Sequence, residues 1–145
     1  MEINEYLIEI FGTQQIDDDE KDTAEITTIG KYTVAPTGNK FIKYKEYDND
    51  NPRIYQSTTI KISDNLITIT RDGQYGSQLM LECGKHHQCY YSTPAGTMLI
   101  GVYTHKMDID LDENGGKMEV AYTLDFDSQA LSENTFKITV NKNNF

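Results

Sequence analysis

Tryptophan is absent from this chain, and cysteine, proline and histidine are scarce at two, three and three residues among 145. Two cysteines are too few for the disulfide framework of a small secreted domain, so both are read as free thiols of a reducing, cytoplasmic protein. Glu2 and Glu5 stand where a secretory leader would carry basic residues, and no signal peptide is expected. No apolar run approaches the roughly 20 residues of a membrane-spanning helix. Basic residues are the minority sign, 13 Lys+Arg against 23 Asp+Glu, for a formal net charge of −10. Nucleic acid and anionic membrane surfaces both require a basic footprint, so neither is expected as a partner. The acidic surplus is read as solubility. Helical periodicity is lacking as well, which leaves helix a minor element. The G-x-S-x-G, H-E-x-x-H, Walker and Rossmann patterns are missing, and no catalytic residue and no cofactor are assigned. The length sets a single domain, 1–145, able to bury roughly two-thirds of its unfolded surface.

What is present is alternation. From Tyr103 to Phe126, apolar residues alternate with charged or polar ones: Met107, Ile109 and Leu111 on one side of a turn, Met118, Val120, Tyr122, Leu124 and Phe126 on the other. Period two marks a half-buried strand, and Asn114-Gly115 is the strongest two-residue hairpin signal. A turn at those two residues pairs Leu111 with Met118, Ile109 with Val120, Met107 with Tyr122 and His105 with Leu124, and sets Asp112 against Lys117. A one-residue slip would oppose apolar to charged side chains along the whole ladder. A turn at Gly115-Gly116 keeps the faces but opposes Asp112 to Glu119, so the first register is preferred.

The other segments are strand-sized too. They run Glu5–Gln15, Thr23–Ala35, Lys40–Tyr47, Tyr55–Ser63, Leu66–Arg71, Ser77–Glu82, His86–Thr93, a long strand entering the hairpin, and Leu131–Asn141. Asp17–Asp22 reads as an acidic loop, Asp48–Pro52 as a polar connection, Gly73–Gly76 as a turn, and Gly30 as a bulge or bend. In the last strand Leu131 and the set Phe136, Ile138 and Val140 have opposite parity, so one residue must be absorbed between Ser132 and Thr135 by a β-bulge. About eight to ten short strands at regular spacing suggest a sandwich or a closed barrel, and the sequential hairpins favour an all-β, antiparallel up-and-down barrel, which also removes exposed edges.

Several short motifs fall in a specific order: Ile67-Thr-Ile-Thr-Arg71, Gly84-Lys85, Tyr90-Tyr91, Thr93-Pro94-x-Gly96-Thr97, Thr104-His105-Lys106, Glu113-Asn114-Gly115-Gly116-Lys117 and Glu133-Asn134. In this combination the chain resembles the YwiB-like family of bacterial proteins of unknown function. The resemblance implies a calycin-type (lipocalin-like) barrel and a cytoplasmic bacterial protein; it supplies no reaction, ligand or catalytic residue. The chain departs from the family in having Ala95 where an aromatic residue is usual, and in its Cys/His cluster at 83–89.

That cluster, Cys83-Gly-Lys-His86-His87-Gln-Cys89, is the only group of soft ligands. Zinc needs three or four ligands converging tetrahedrally. A two-residue Gly84-Lys85 turn splits them between faces, whereas a three-residue turn gathers Cys83, His87 and Cys89; no metal is assigned. Asp108, Asp110 and Asp112, with Glu119, imitate calcium-loop spacing, but Glu113 occupies the glycine position and the carboxylates lie along a straight strand about 6.5–7 Å apart. They read as a solvated face. The sharper pattern is polar groups of inward parity: Arg71 continues Ile67 and Ile69, Tyr103 and His105 continue Met107, Ile109 and Leu111, and Tyr91 and Tyr122 join them. A buried arginine or histidine must be paired. The expected function is therefore a non-enzymatic barrel binding a small amphipathic or anionic ligand among Arg71, Tyr91, Tyr103, His105 and Tyr122. The alternatives are a structural polar network, an acidic protein-interaction module with a filled barrel, and an enzyme using His105 in a substrate-sized cavity. Oligomeric state is not legible.

Overall fold

The computed structural model describes residues 5–16, 20–47, 50–51, 53, 55–73 and 76–142. Parts of the acidic loop (Asp17–Asp19), of the polar connection (Asp48, Asn49, Pro52) and of the Gly73–Gly76 turn, and the leader position Glu2, lie outside the described residues. Ten strands follow one another: β1 (Tyr6–Gln15), β2 (Asp22–Val34), β3 (Lys40–Tyr47), β4 (Tyr55–Ser63), β5 (Leu66–Asp72), β6 (Ser77–Glu82), β7 (His86–Thr93), β8 (Gly96–Asp112), β9 (Gly115–Phe126) and β10 (Gln129–Lys142). Each pairs antiparallel with its neighbours in sequence, and β1 pairs with β10 from Tyr6↔Lys142 to Gln15↔Glu133. The sheet is thereby a closed up-and-down barrel, as the alternation predicts.

Alternation also builds the core. Ile8, Ile42, Ile60, Ile67, Leu81, Val102, Met118, Val120, Ile138 and Val140 are all buried on inward parity. One end of the barrel is plugged by tyrosines. Tyr6 and Tyr32 meet edge to face with centroids 5.4 Å apart, and the Tyr32 hydroxyl donates to the Asp112 carbonyl at 2.7 Å. Burial, with Asp112 and Tyr6 nearby, pushes the Tyr32 phenol up to about 12.

Near its turn the β8–β9 hairpin keeps the predicted faces but not the predicted register, and at its far end Phe126 is exposed rather than inward. Asp112 pairs with Gly115, Leu111 with Gly116, Ile109 with Met118 and Met107 with Val120, so the two turn residues are Glu113 and Asn114. The Asp112 carboxylate accepts the Asn114 N–H at 2.7 Å, an Asx turn that reverses the chain one residue early. The glycines then serve close approach. Gly115 and Gly116 have φ of +108° and +138°, and a Cβ on them would meet the Val140 and Asp110 carbonyl oxygens at 2.2 and 2.1 Å. Asp112 consequently faces Gly115, and Lys117 faces Asp110.

Two bulges set the parity. In β10 the pairing with β9 shifts between Ala130 and Ser132, earlier than expected, which leaves Leu131 exposed and turns Ser132, Asn134, Phe136, Ile138 and Val140 inward. In β8 the shift falls between Thr104 and Lys106. Here β7 has ended, and the β6 terminus takes its place: Gly84 N–H donates to the Thr104 carbonyl at 2.9 Å, and Cys83 bridges Thr104. Thr104 is held inward with no exposure, and His105 becomes the extra, outward residue.

Candidate functional site

The β8 bulge divides the predicted site residues. Tyr103 and His105 lie on the outer surface, a correction to their expected inward placement: even positions face inward before the bulge, and odd positions after it. Their rings pack against each other at 4.9 Å, and His105 Nε2 is hydrogen-bonded to the Thr123 hydroxyl. Arg71 and Tyr122 do line the interior. Tyr91 is partly buried and follows the parity of the buried Cys89 on β7, and it is close enough to Tyr122 to raise that phenol's pKa.

At the end of the barrel opposite the Tyr6–Tyr32 plug, the interior holds a cavity of about 290 Å³. Aliphatic residues from six strands form most of it, among them Ile10, Ile26, Ile60, Ile69, Leu79 and Ile138. The aromatic walls are Tyr44, Tyr122 and Phe136, with the Tyr122 and Phe136 rings edge to face at 6.1 Å. Arg71 is the cation. It stands opposite Thr58 across the β4–β5 ladder, and its buried Nε has no hydrogen-bond partner. Among the described residues no carboxylate comes within 4 Å of its guanidinium.

Burial is the main influence on the two phenols of the site. Burial raises the Tyr44 phenol, Glu46 adds to the rise, and the Arg71 guanidinium and the Thr58 hydroxyl offset part of it. Burial also raises Tyr122, against the lowering effect of Arg71. Both therefore remain neutral hydrogen-bonding groups near pH 7, beside a permanent positive charge. Tyr44 was not singled out in the sequence, although it follows Ile42 in phase, and Thr58 follows Ile60 and Ile62 in the same way.

The Cys/His cluster is dispersed. Lys85 N–H donates to the Glu82 carbonyl at 3.0 Å around Cys83-Gly84, with Gly84 at φ +77°, so the turn comes one residue earlier than Gly84-Lys85. Cys83 is exposed and Cys89 buried. Burial raises the Cys89 thiol, and the Met80 N–H donating to its sulfur at 3.3 Å partly offsets this. His87 bonds Glu82 at 2.9 Å, and His86 bonds Asp125 at 2.8 Å across the floor provided by Gly101. Hydrogen bonds from His87 and Lys85 hold the Glu82 carboxyl below its ordinary range. Among the described residues no three His, Cys, Asp or Glu side chains gather as a metal site.

The fold has a counterpart among solved structures. The crystal structure of ywiB protein from Bacillus subtilis superposes with a TM-score of 0.83, covering 97% of this chain and 93% of that one, at 19% sequence identity. At that identity the likeness speaks for the fold, and it agrees with the YwiB-like motifs. No curated protein matches the chain. A family model matches residues 8–138, and the chain belongs to that family, described as Domain of unknown function (DUF1934).

Proposed function

We propose that this barrel binds a small anionic or amphipathic molecule in its interior, with Arg71 as the charge partner and Tyr44 and Tyr122 as neutral walls and hydrogen-bonding groups. The observation that carries the proposal is Arg71 itself: a guanidinium facing a cavity, its Nε buried and without a partner. An unsatisfied buried donor of this kind costs about 1–3 kcal/mol, more when charged, and a bound anion would remove that cost. The cavity, about 290 Å³, stands at the lower bound of the roughly 300–1,000 Å³ typical of small-molecule sites. A barrel filled throughout by side chains would have favoured the interaction-module alternative. The apolar portion of an amphipathic ligand would meet the isoleucines and Leu79, and its anionic group would meet Arg71.

The reading is of a binding protein rather than an enzyme. His105, the residue that a catalytic alternative would use, stands outside the cavity. The two free cysteines are consistent with a reducing cytoplasm as its place of work. Native mass spectrometry of protein purified from its own host is the test. A retained anionic molecule in the wild type, lost in Arg71→Leu with the fold intact, is the expected result. A purely structural Arg71 would instead give no retained molecule in either protein and a lowered Tm in the variant.

A further inference from the structure

The interior carries one inward-facing charge of each sign, and among the described residues neither has a counter-charge. The cation is Arg71; the anion is Glu46. On β3, Ile42, Tyr44 and Glu46 share the inward parity, and Glu46 is partly buried between the exposed Lys45 and Tyr47. Its Oε1 is buried without a hydrogen-bond partner, as Arg71 Nε is. Among the described residues no lysine, arginine or histidine nitrogen comes within 4 Å of its carboxylate. A buried carboxylate oxygen without a donor is costly, and it points to a group supplied from outside the chain.

Register brings the two charges to one side of the barrel. Tyr44 pairs with Thr58 and Thr58 with Arg71, so these three lie in one row across β3, β4 and β5. Glu46 pairs with Gln56, one inward position beyond Tyr44 and farther from the Tyr6–Tyr32 plug. Two strand spacings across and one side-chain repeat along put the Arg71 and Glu46 backbones about 12 Å apart. The Tyr44 phenol lies between them. Burial first and Glu46 second raise its pKa, and Arg71 lowers it, so both charges act at one oxygen. The β2–β3 ladder ends at Lys31↔Lys43, and β3 from Tyr44 to Tyr47 is paired with β4 alone. Glu46 therefore stands where the wall has parted.

We propose that the interior ligand is a zwitterion, an amino acid with an apolar side chain, its carboxylate on Arg71 and its ammonium on Glu46. This inference rests on the interior-binding reading and narrows it. Arg71 offers a carboxylate its fork of N–H donors, and Glu46 offers an ammonium a charged acceptor. The neutral Tyr44 hydroxyl serves either group. Ile10, Ile60, Ile69 and Leu79 receive the apolar side chain. A simple fatty acid would satisfy Arg71 but leave the Glu46 oxygen unpaired. Asp22 also lines the cavity, but it is exposed and solvated, so the ammonium is not assigned to it.

The test is isothermal titration calorimetry of the full chain with L-leucine and with isocaproate, the same skeleton without its amine. Leucine should bind saturably, and isocaproate at least roughly tenfold more weakly, the effect of one charge-assisted hydrogen bond. Glu46→Gln should bring leucine down to the level of isocaproate without weakening isocaproate itself or lowering the Tm. Arg71→Leu should abolish binding of both, and Asp22→Asn should change neither. Absence of leucine binding, isocaproate affinity equal to that of leucine, or unaltered leucine affinity in Glu46→Gln would each overturn the amino-acid assignment while leaving the anion reading intact. Undiminished binding of both probes in Arg71→Leu would instead overturn the anion reading, and this inference with it.

Discussion

At the scale of single residues, buried hydroxyls and thiols dominate the interior chemistry, and they make stability depend on alkaline pH. Tyr32, Tyr44, Tyr122 and Cys89 all hold their protons more tightly in the folded chain, burial being the first cause in each. Below the unfolded pKa values the contribution is fully present. As pH rises past the ordinary tyrosine value of 10.0 towards the Tyr32 value of about 12, the unfolded chain ionises first and stability falls. The expected slope is about 1.4 kcal/mol per pH unit for each group that the native state alone keeps protonated. Urea titrations between pH 9 and pH 12 measure it, and Tyr32→Phe should flatten the upper part of the curve. A stability independent of pH across that window would contradict these burial assignments. Single residues were also where parity was easiest to read. Arg71 and Tyr122 followed their apolar neighbours inward, and Tyr44 and Thr58 obey the same rule on strands whose alternation was equally plain.

Strands and turns were legible as elements; the joints within them were less so. The parity clash in β10 announced a bulge, because Leu131 and Phe136 could not both face inward on one regular strand. The same clash exists in β8 between Val102 and Met107, yet Tyr103 and His105 fit either phase and concealed it. What decides the β8 bulge is a tertiary contact, the docking of Gly84 on the Thr104 carbonyl, for which no local pattern exists. The hairpin turn was misplaced for a related reason. Asn-Gly is a turn signal through positive φ, but here the Asp112 carboxylate starts the turn, and Gly115 is required by its contact with Val140. Gly115→Val should therefore destabilise the fold by about 1–3 kcal/mol, through strained φ and steric conflict with backbone. Asn114→Ala, at a position without positive φ, should stay within about 0.5 kcal/mol in the same urea experiment. Equal effects of the two substitutions would return the turn to Asn114-Gly115.

The whole molecule is a cylinder with two weak seams. One is the short β2–β3 ladder; the other is β6–β7, whose ladder is confined to Ser77↔Tyr91, with the Ser92 N–H bond to the Gly76 carbonyl beside it. The remaining ladders are long, so the wall behaves as two stiff plates, β3 to β6 and β7 round through β10 and β1 to β2. Arg71, Tyr44 and Leu79 ride on the first plate, and Tyr91, Tyr122, Phe136 and Ile10 on the second. The interior cavity thus lies between two bodies that meet along lightly bonded lines, and a small rocking motion about those lines would change its width without breaking a long ladder. Local opening concentrates where backbone bonds are few. Amides along the free edges of Tyr44–Tyr47 and Ser77–Glu82 should exchange with solvent well before those of β8, β9 and β10. An occupant touching both plates would slow exchange at both seams at once, although it contacted neither. A barrel built this way would close on an occupant from two sides, as a clamshell does, rather than hold it from below like a cup.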